Sequence, residues 1–403
     1  MNFSNSPAGS GGGNNAQIYI RGVGQNDFLI TTDPGVAVYM DGVYIARSMG
    51  AIMNLMDMER VEVLRGPQGT LFGKNAVGGA ISLVTAPPTD EIDGNVELTT
   101  GSRDRIDARG MVNVPLIPGQ LLARFAASTR NQDGYGNRLL DDIDLGDVNE
   151  DAFRGSLLWN ATDTLKFTLV GDYSRGREES VSQHLMTVDA SNAPLLNLWN
   201  AFVGFPSGQP MTPDLVLDDP YDTLQTGRSI NDMDVYGISL TADWQVGGIN
   251  IKSITAYRDS DVDFSRDGDN SPAPYVETFN DTDQNQFSQE LHASGKAFSD
   301  RLDWLAGVYY FDENAIDHTD VILADGLFDA LEALPFPLVP LGPWPCPQPP
   351  GSPLPCIGGA GNPFNEQFDL RFDVYNKMDI ESVAIFGQGT VHLAEDTRLG
   401  RRV

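Results

Sequence analysis

A period of two recurs, segment after segment, from about residue 89 onward, and it narrows the fold more than any other feature. Leu121, Ala123, Phe125 and Ala127 share one face, with Arg124 and Arg130 on the other. Leu165, Phe167, Leu169 and Tyr173 alternate with Lys166, Thr168 and Asp172. Tyr236, Ile238, Leu240, Ala242 and Trp244 alternate with Gly237, Ser239, Thr241 and Asp243. Phe287, Leu291 and Ala293 alternate with Gln286, Ser288, Glu290 and His292, and Val383, Ile385, Val391 and Leu393 oppose Ser382, Gln388 and Thr390. Successive side chains of a strand point to opposite faces, so each segment is a strand with one apolar and one polar face. A membrane barrel and a half-buried soluble sheet both give this pattern.

The connections separate the two. Residues 116–119, 160–164, 246–248, 295–301 and 394–397 are short turns, whereas 131–150, 176–232, 259–281 and 312–376 are long. Short and long connections alternate after the first hairpin, which is the asymmetry of an outer-membrane barrel. A soluble domain has little use for structureless loops of that length. Trp159, Tyr173, Trp244, Tyr257, Trp304, Tyr309, Tyr310 and Phe311 cluster near strand ends, as girdles at the membrane interfaces would, although core aromatics also account for them.

A chain of 403 residues exceeds one small core and implies two domains or one large barrel. Its formal net charge of −30 excludes a nucleic-acid partner, because phosphate binding needs a basic face. No apolar run is long enough for a membrane helix. The start, MNFSNSPAGSGGGNN, lacks the regions of a signal peptide, and Leu399–Val403 stops in a strand-like pattern. The expectation is a fragment cut at both ends. Residues 1–15 read as a loose polar segment, 16–88 as short strands and turns with one helical piece over 48–56, and Ala86-Pro87-Pro88-Thr89 as the boundary to a strand domain over 89–403.

Within 16–88 the densest signal is VEVLRGPQGTLFGKNAVGGAISLVT, residues 61–85. Val61 and Val63 begin a short strand, Gly66-Pro67-Gln68-Gly69 forms a turn, and Ile81–Thr85 is a β-branched strand. A phosphate-binding loop fails here. Gly69 and Gly73 enclose three residues rather than four, and Asn75 follows Lys74 where a hydroxyl is required.

This stretch resembles the end of the plug domain of TonB-dependent outer-membrane receptors. Ile20-Arg21-Gly22-Val23-Gly24 resembles the family's IRG strand, and Val38-Tyr39-Met40-Asp41-Gly42-Val43-Tyr44 its VYVDGVY hairpin. FGQGTVHLAEDTRLGRRV resembles a mid-barrel hairpin of the same family. The resemblance implies an all-β dominated chain: a small α/β plug without its first part, then an incomplete antiparallel transmembrane barrel of about ten strands out of about 22. It implies a cell outer-membrane receptor that imports a scarce solute, a ferric siderophore first, with cobalamin, haem and glycans as alternatives. The implied partners are the TonB energy-coupling protein, reached through a missing N-terminus, the small-molecule ligand and outer-membrane lipid, with a monomer when complete. The ligand site is expected on plug hairpin tips and on loops 176–232 and 313–375.

By the same resemblance Arg21 and Arg65 dock the plug against acids on the barrel wall, with Glu290 as a candidate partner; without it both are surface arginines. Cys346 and Cys356 flank a Pro/Gly loop, and a disulfide is the favoured reading over free thiols or zinc. No catalytic constellation, cofactor or metal site is expected. His184, His292, His318 and His392 form no ligand pair on one element, and the acidic runs 141–144 and 259–269 do not fit the EF-hand pattern. The alternative function is a soluble or secreted all-β protein that binds calcium or glycans.

Overall fold

A computed structural model of the chain describes residues 2–5, 16–25, 29–48, 56–191, 193–335, 339–340 and 356–392. The first unit is built from two small sheets. β1 (Asn2–Asn5), β2 (Ala16–Ile20) and β3 (Val23–Gly24) form one. β4 (Val36–Met40), β5 (Val43–Ile45), β6 (Met58–Arg65) and β7 (Gly79–Thr85) form the other, in the order β5-β4-β7-β6. Asn2–Asn5, expected to be loose, instead adds an antiparallel strand along β2, because that edge offers a free ladder of backbone groups. The expected helical piece over 48–56 lies mostly outside the described residues.

Asp41 and Gly42 make the two-residue turn between β4 and β5, both at positive φ (49° and 84°), the geometry that matches the twist of a hairpin. β6 and β7 pair antiparallel, and β7 runs parallel to β4. The glycine-rich stretch supplies the connection, with one helical turn at Gly69–Phe72. At Gly79 (φ 152°) an added Cβ would sit 2.2 Å from the Leu64 carbonyl oxygen, so only glycine fits there. The core between the sheets joins Ile18 and Ile20 of β2 to Val36, Val38, Ile81 and Leu83.

β7 ends at Thr85 and β8 (Asp93–Thr100) opens the second unit. It continues through β9 (Ile106–Ile117) and β10 (Leu121–Gln132), then β11 (Gly136–Arg138) and β12 (Ile143–Leu145) in a loop, then β13 (Val148–Thr162) and β14 (Leu165–Glu178). After β15 (Asp222–Thr223) come β16 (Asn231–Val246), β17 (Ile249–Asp267), β18 (Val276–Ala297) and β19 (Leu302–Leu323). β20 (Val339–Pro340) and β21 (Cys356–Ile357) lie in the last loop, before β22 (Arg371–Val391). β8, β9, β10, β13, β14, β16, β17, β18, β19 and β22 form one ten-stranded antiparallel sheet in sequence order, with β8 and β22 as its edges. Among the described residues these ten strands meet the expectation of about ten, and their sheet is open at β8 and β22.

Burial settles what alternation left open. The wall's polar face is covered and its apolar face is bare: Phe153 is 53 % exposed, while the adjacent Arg154 is 8 % exposed. Ile238, Leu240, Val308, Val383 and Ile385 are likewise exposed, while Gln286, Ser288 and Glu313 are buried. A soluble sheet buries its apolar face, so this inverted polarity belongs to a wall whose outside meets lipid. The soluble calcium- or glycan-binding alternative does not survive it. No helix among the described residues is long and apolar enough to cross a membrane.

Two long connections are shorter than expected. β17 and β18 run on to Asp267 and from Val276, and β19 and β22 run to Leu323 and from Arg371, which leaves 268–275 and 324–370 as loops. In 259–267 the acids Asp259, Asp261 and Asp263 take the outward places of the alternation while Val262 and Phe264 are buried, and the backbone keeps the ladder. The strands therefore project past the apolar band.

Leu240→Arg puts a guanidinium in the bare apolar row. In lipid vesicles the unfolding free energy from urea titration is expected to fall by about 2–4 kcal/mol. An unchanged midpoint and slope would show that this face does not contact lipid.

Candidate functional site

The first unit plugs the concave, polar side of the wall, and the seam between them carries buried charge. Arg47, two residues past β5, meets Glu313 of β19 in a bidentate pair, with Nε to Oε1 at 2.6 Å and Nη2 to Oε2 at 3.0 Å. Arg47 is 7 % exposed and Glu313 1 %. Gln284 Nε2 donates to Glu313 at 3.2 Å. Gln286 donates to the Tyr44 carbonyl at 2.6 Å and accepts from the Ala46 amide at 3.1 Å. β18 and β19 thus read the backbone of the β4–β5 hairpin like an added edge. The arginine also reaches the Thr32 carbonyl at 3.3 Å and Asp33 at 3.7 Å, in the loop before β4.

Two further pairs run the other way, with the acid on the plug. Asp41, in the hairpin turn, is paired with Arg154 of β13 and accepts from the Thr85 amide at 2.9 Å. Asp57, before β6, is paired with Arg124 of β10, Nε to Oδ2 at 2.6 Å. Inside the wall itself Arg258 meets Asp172 at 3.1 Å, both nearly buried. Apolar contacts fill the gaps. Val43 packs on Ile254 and Ala256, Tyr44 and Ala80 on Phe311, and Leu29 against Met233, Val235, Val262 and Phe264.

Sequence reasoning chose other residues for this seam. Arg21 and Arg65 are exposed and form no ion pair among the described residues, and Glu290 is held by His292 Nδ1 at 2.7 Å. The structure does not bring the three together. Arg47, Asp41, Asp57, Arg124, Arg154 and Glu313 were missed, although Glu313 lies on the polar period of its strand and Arg47 closes the hairpin motif. The other histidines are each engaged: His184 with the Asp222 carbonyl, His318 with Asp373 at 2.8 Å and His392 with Asp303 at 2.5 Å. His318, Asp320 and Asp373 place ligand atoms within 4.8 Å of one another, as do Asp261, Asp263 and Asp281. Each group combines two half-buried side chains with one exposed one. Cys356 is buried and not free; Cys346 lies outside the described residues, as do the short turn 394–397 and Leu399–Val403.

At the long-loop rim the loops pack on one another. Leu196, Trp199 and Met211 share a core with Ala273, Ala324, Leu327, Leu331 and Ile357, and Trp199 Nε1 donates to the Asp325 carbonyl at 2.8 Å. Asp267 and Asp269 clasp the turn at 268–275. Asp269 accepts from the amides of Tyr275 at 3.1 Å and Val276 at 2.6 Å, and Asp267 from the amides of Thr226 at 2.5 Å and Asn270 at 2.7 Å. Burial pushes both carboxyls above the ordinary range, and for Asp267 the charge of Asp269 adds to the rise. The acids and the described residues of loops 179–230 and 324–370 therefore form a packed cap.

Comparison with known proteins agrees with this geometry. Residues 2–80 match the family described as TonB-dependent Receptor Plug Domain. The pesticin receptor of Yersinia pestis is 38 % identical over 118 residues, 29 % of this chain and 17 % of that protein. The iron-regulated outer membrane virulence protein of Vibrio cholerae is 34 % identical over 148 residues, 32 % of this chain and 22 % of that protein. Among solved structures, the ferric yersiniabactin uptake receptor FyuA from Yersinia pestis superposes with a TM-score of 0.61 at 22 % identity, over 80 % of this chain and 45 % of that one. The siderophore receptor PiuA from Acinetobacter baumannii gives 0.55 at 12 % identity, over 93 % and 51 %. The chain therefore spans about half the length of the structures it resembles.

Breaking the seam pair strands a buried charge. Arg47→Leu and Glu313→Leu are each expected to cost about 3–5 kcal/mol in chemical denaturation, and the double variant less than the sum. Additive losses would show that the pair does not hold the plug. The acid clasp gives a pH dependence. Carboxyls whose folded pKa is raised stabilise the fold below their unfolded pKa and lose that contribution as pH rises through the folded value. Amide exchange over 268–276, corrected for its intrinsic rate, is expected to speed up between pH 5 and pH 8, and Asp267→Asn should flatten the change.

Proposed function

We propose that this chain, whose plug and barrel wall are those of a TonB-dependent outer-membrane receptor, serves to import a ferric siderophore across the outer membrane. The observation that carries the reading is the seam: a polar wall with bare apolar outside, its interior filled by a separate plug held through buried ion pairs. An enzyme has no need of such a stopper, whereas a gated importer does. The relatives named for pesticin, iron regulation and siderophore uptake point to iron-bearing ligands as the substrate class.

The ligand would bind above the plug's Leu29–Asp33 loop, under the cap formed by loops 179–230 and 324–370. Energy would come through TonB, by relief of the seam's ion pairs one after another. Arg21 and Arg65, unpaired among the described residues, would dock on carboxylates of barrel wall beyond the ten strands seen here. A disulfide between Cys346 and Cys356 would brace the second of the two cap loops.

The test is direct. The chain in detergent micelles, titrated with a panel of ferric siderophores, is expected to bind one with quenching of tryptophan fluorescence, since Trp199 sits in the cap core. Trp199→Ala should weaken binding by about tenfold or more, and iron-free siderophore should bind less well. In cells, uptake of labelled iron should require TonB. Equal binding of iron-free and ferric forms, or uptake independent of TonB, would overturn the assignment.

A further inference from the structure

A second cavity lies away from the loop cap, between the glycine-rich turn of the plug and the wall strands β18, β19 and β22. It encloses about 400 Å³ and is lined by Tyr39, Tyr44, Phe72, Lys74, Glu290 and Tyr309, with backbone of β22. Register places two of these residues together. Glu290 faces Tyr309 across β18 and β19, and Tyr309 faces Ala384 of β22, so all three stand in one row on the inner face.

The polar groups of the cavity are unusual in what they lack. The Lys74 ammonium lies over the Phe311 ring, 4.1 Å from its centroid, and 5.7 Å from that of Tyr44. No carboxylate forms an ion pair with it among the described residues. Burial lowers the lysine's pKa, and the more distant charges of Glu313 and Asp33 only partly offset it. The Tyr309 hydroxyl is buried beside the Ser288 side chain and makes no hydrogen bond of ordinary geometry among the described residues. Tyr39 and Tyr44, by contrast, are held by the Phe72 carbonyl and by Asn75. Their rings stand 5.5 Å apart, with Phe72 5.1 Å from Tyr39, so two walls are fixed aromatic faces. Glu290 supplies one carboxylate, positioned by His292 at 2.7 Å.

The chamber thus offers an ammonium and a carboxylate that do not pair with each other, with rings between them and one buried hydroxyl. We infer that it binds a zwitterionic aromatic molecule of amino-acid to dipeptide size, its carboxylate on Lys74, its ammonium on Glu290 and its ring against Tyr39 and Tyr44. Simple anions meet the charge of Glu290, and simple cations meet that of Lys74. Only a ligand carrying both signs satisfies the two. The volume lies within the ordinary range for small-molecule sites. The site needs no siderophore and no import step, so it stands or falls apart from the transport assignment.

The probes are L-tryptophan, N-acetyl-L-tryptophan and L-tryptophanamide, measured by equilibrium dialysis of the whole chain in micelles against protein-free micelles. Tryptophan is expected to bind saturably and about tenfold tighter than either blocked form, the loss of one charge-assisted hydrogen bond. Lys74→Met should weaken tryptophan about tenfold and leave tryptophanamide unchanged, while Glu290→Gln should weaken tryptophan and leave N-acetyltryptophan unchanged. Lys74→Arg should restore most of the affinity. Should a variant fail to fold, judged by its heat-modifiable mobility, the order of the three probes on the unaltered protein decides. No saturable tryptophan binding, or equal affinity for all three probes, would overturn the site.

Discussion

The buried pair of Arg47 and Glu313 is the interaction on which the arrangement turns. A carboxylate removed from water on a barrel wall is costly unless a cation reaches it with matched hydrogen bonds. Glu313 has no such cation on its own strand or the neighbouring ones; the plug brings it, and Gln284 meets one of the remaining lone pairs. The same logic extends along the seam. Arg154 and Arg124 on the wall wait for Asp41 and Asp57 on the plug, so wall and plug are each incomplete without the other. A docked state held by charge is also one that can be released, because the separated groups regain water. An apolar seam of the same area would bind as a core does.

For that pair to form, the β4–β5 hairpin must stand at one depth and one angle against the wall. The glycine-rich stretch secures this. β7 runs parallel to β4, and parallel pairing needs a long crossover, which residues 46–78 supply through β6 and a single helical turn. The close approach at Gly79 lets β7 seat under Leu64, and Asp41 then reaches Thr85 as well as Arg154. One carboxylate therefore ties the hairpin turn to the next strand and to the barrel at once. The local turn chemistry and the long-range docking are the same constraint seen at two distances.

Much of this was legible in the sequence. Alternation along Tyr236–Trp244 and Gln286–Ala293 marked the strands, and the unequal connections marked the two rims. What alternation could not say was which face is covered, since Phe153 and Arg154 alternate identically in a soluble sheet. The ends of the long strands were also hidden. Asp259, Asp261 and Asp263 stand where the outward apolar row would continue, yet their backbone continues the ladder, because its amides and carbonyls still need partners there. The seam was the least visible part. Arg21 and Arg65 stand in recognisable motifs, whereas the partner of Arg47 is 266 residues away and is found only once β19 has a depth and a face. Periodicity gives a residue's face; it does not give the height at which two units meet.

The packing also separates two apolar bodies on either side of the wall's interior. The loop cap has its own apolar core around Trp199, Leu327 and Leu331, built almost wholly from residues beyond the strands. The plug has another, around Ile18, Val38 and Ile81. Between them the wall's interior is mostly polar, with buried Asn280, Thr282, Gln284 and Asp317 hydrogen-bonded among themselves and to their neighbours. A polar layer tolerates water and rearranges without opening cavities, which an apolar one does not. The link across it is narrow. Leu29 packs on Met233, Val235, Val262 and Phe264, and a few residues later Thr32 and Asp33 contact Arg47. The apolar patch of the wall and the charge pair that holds the plug therefore grip the same short segment, residues 29–33.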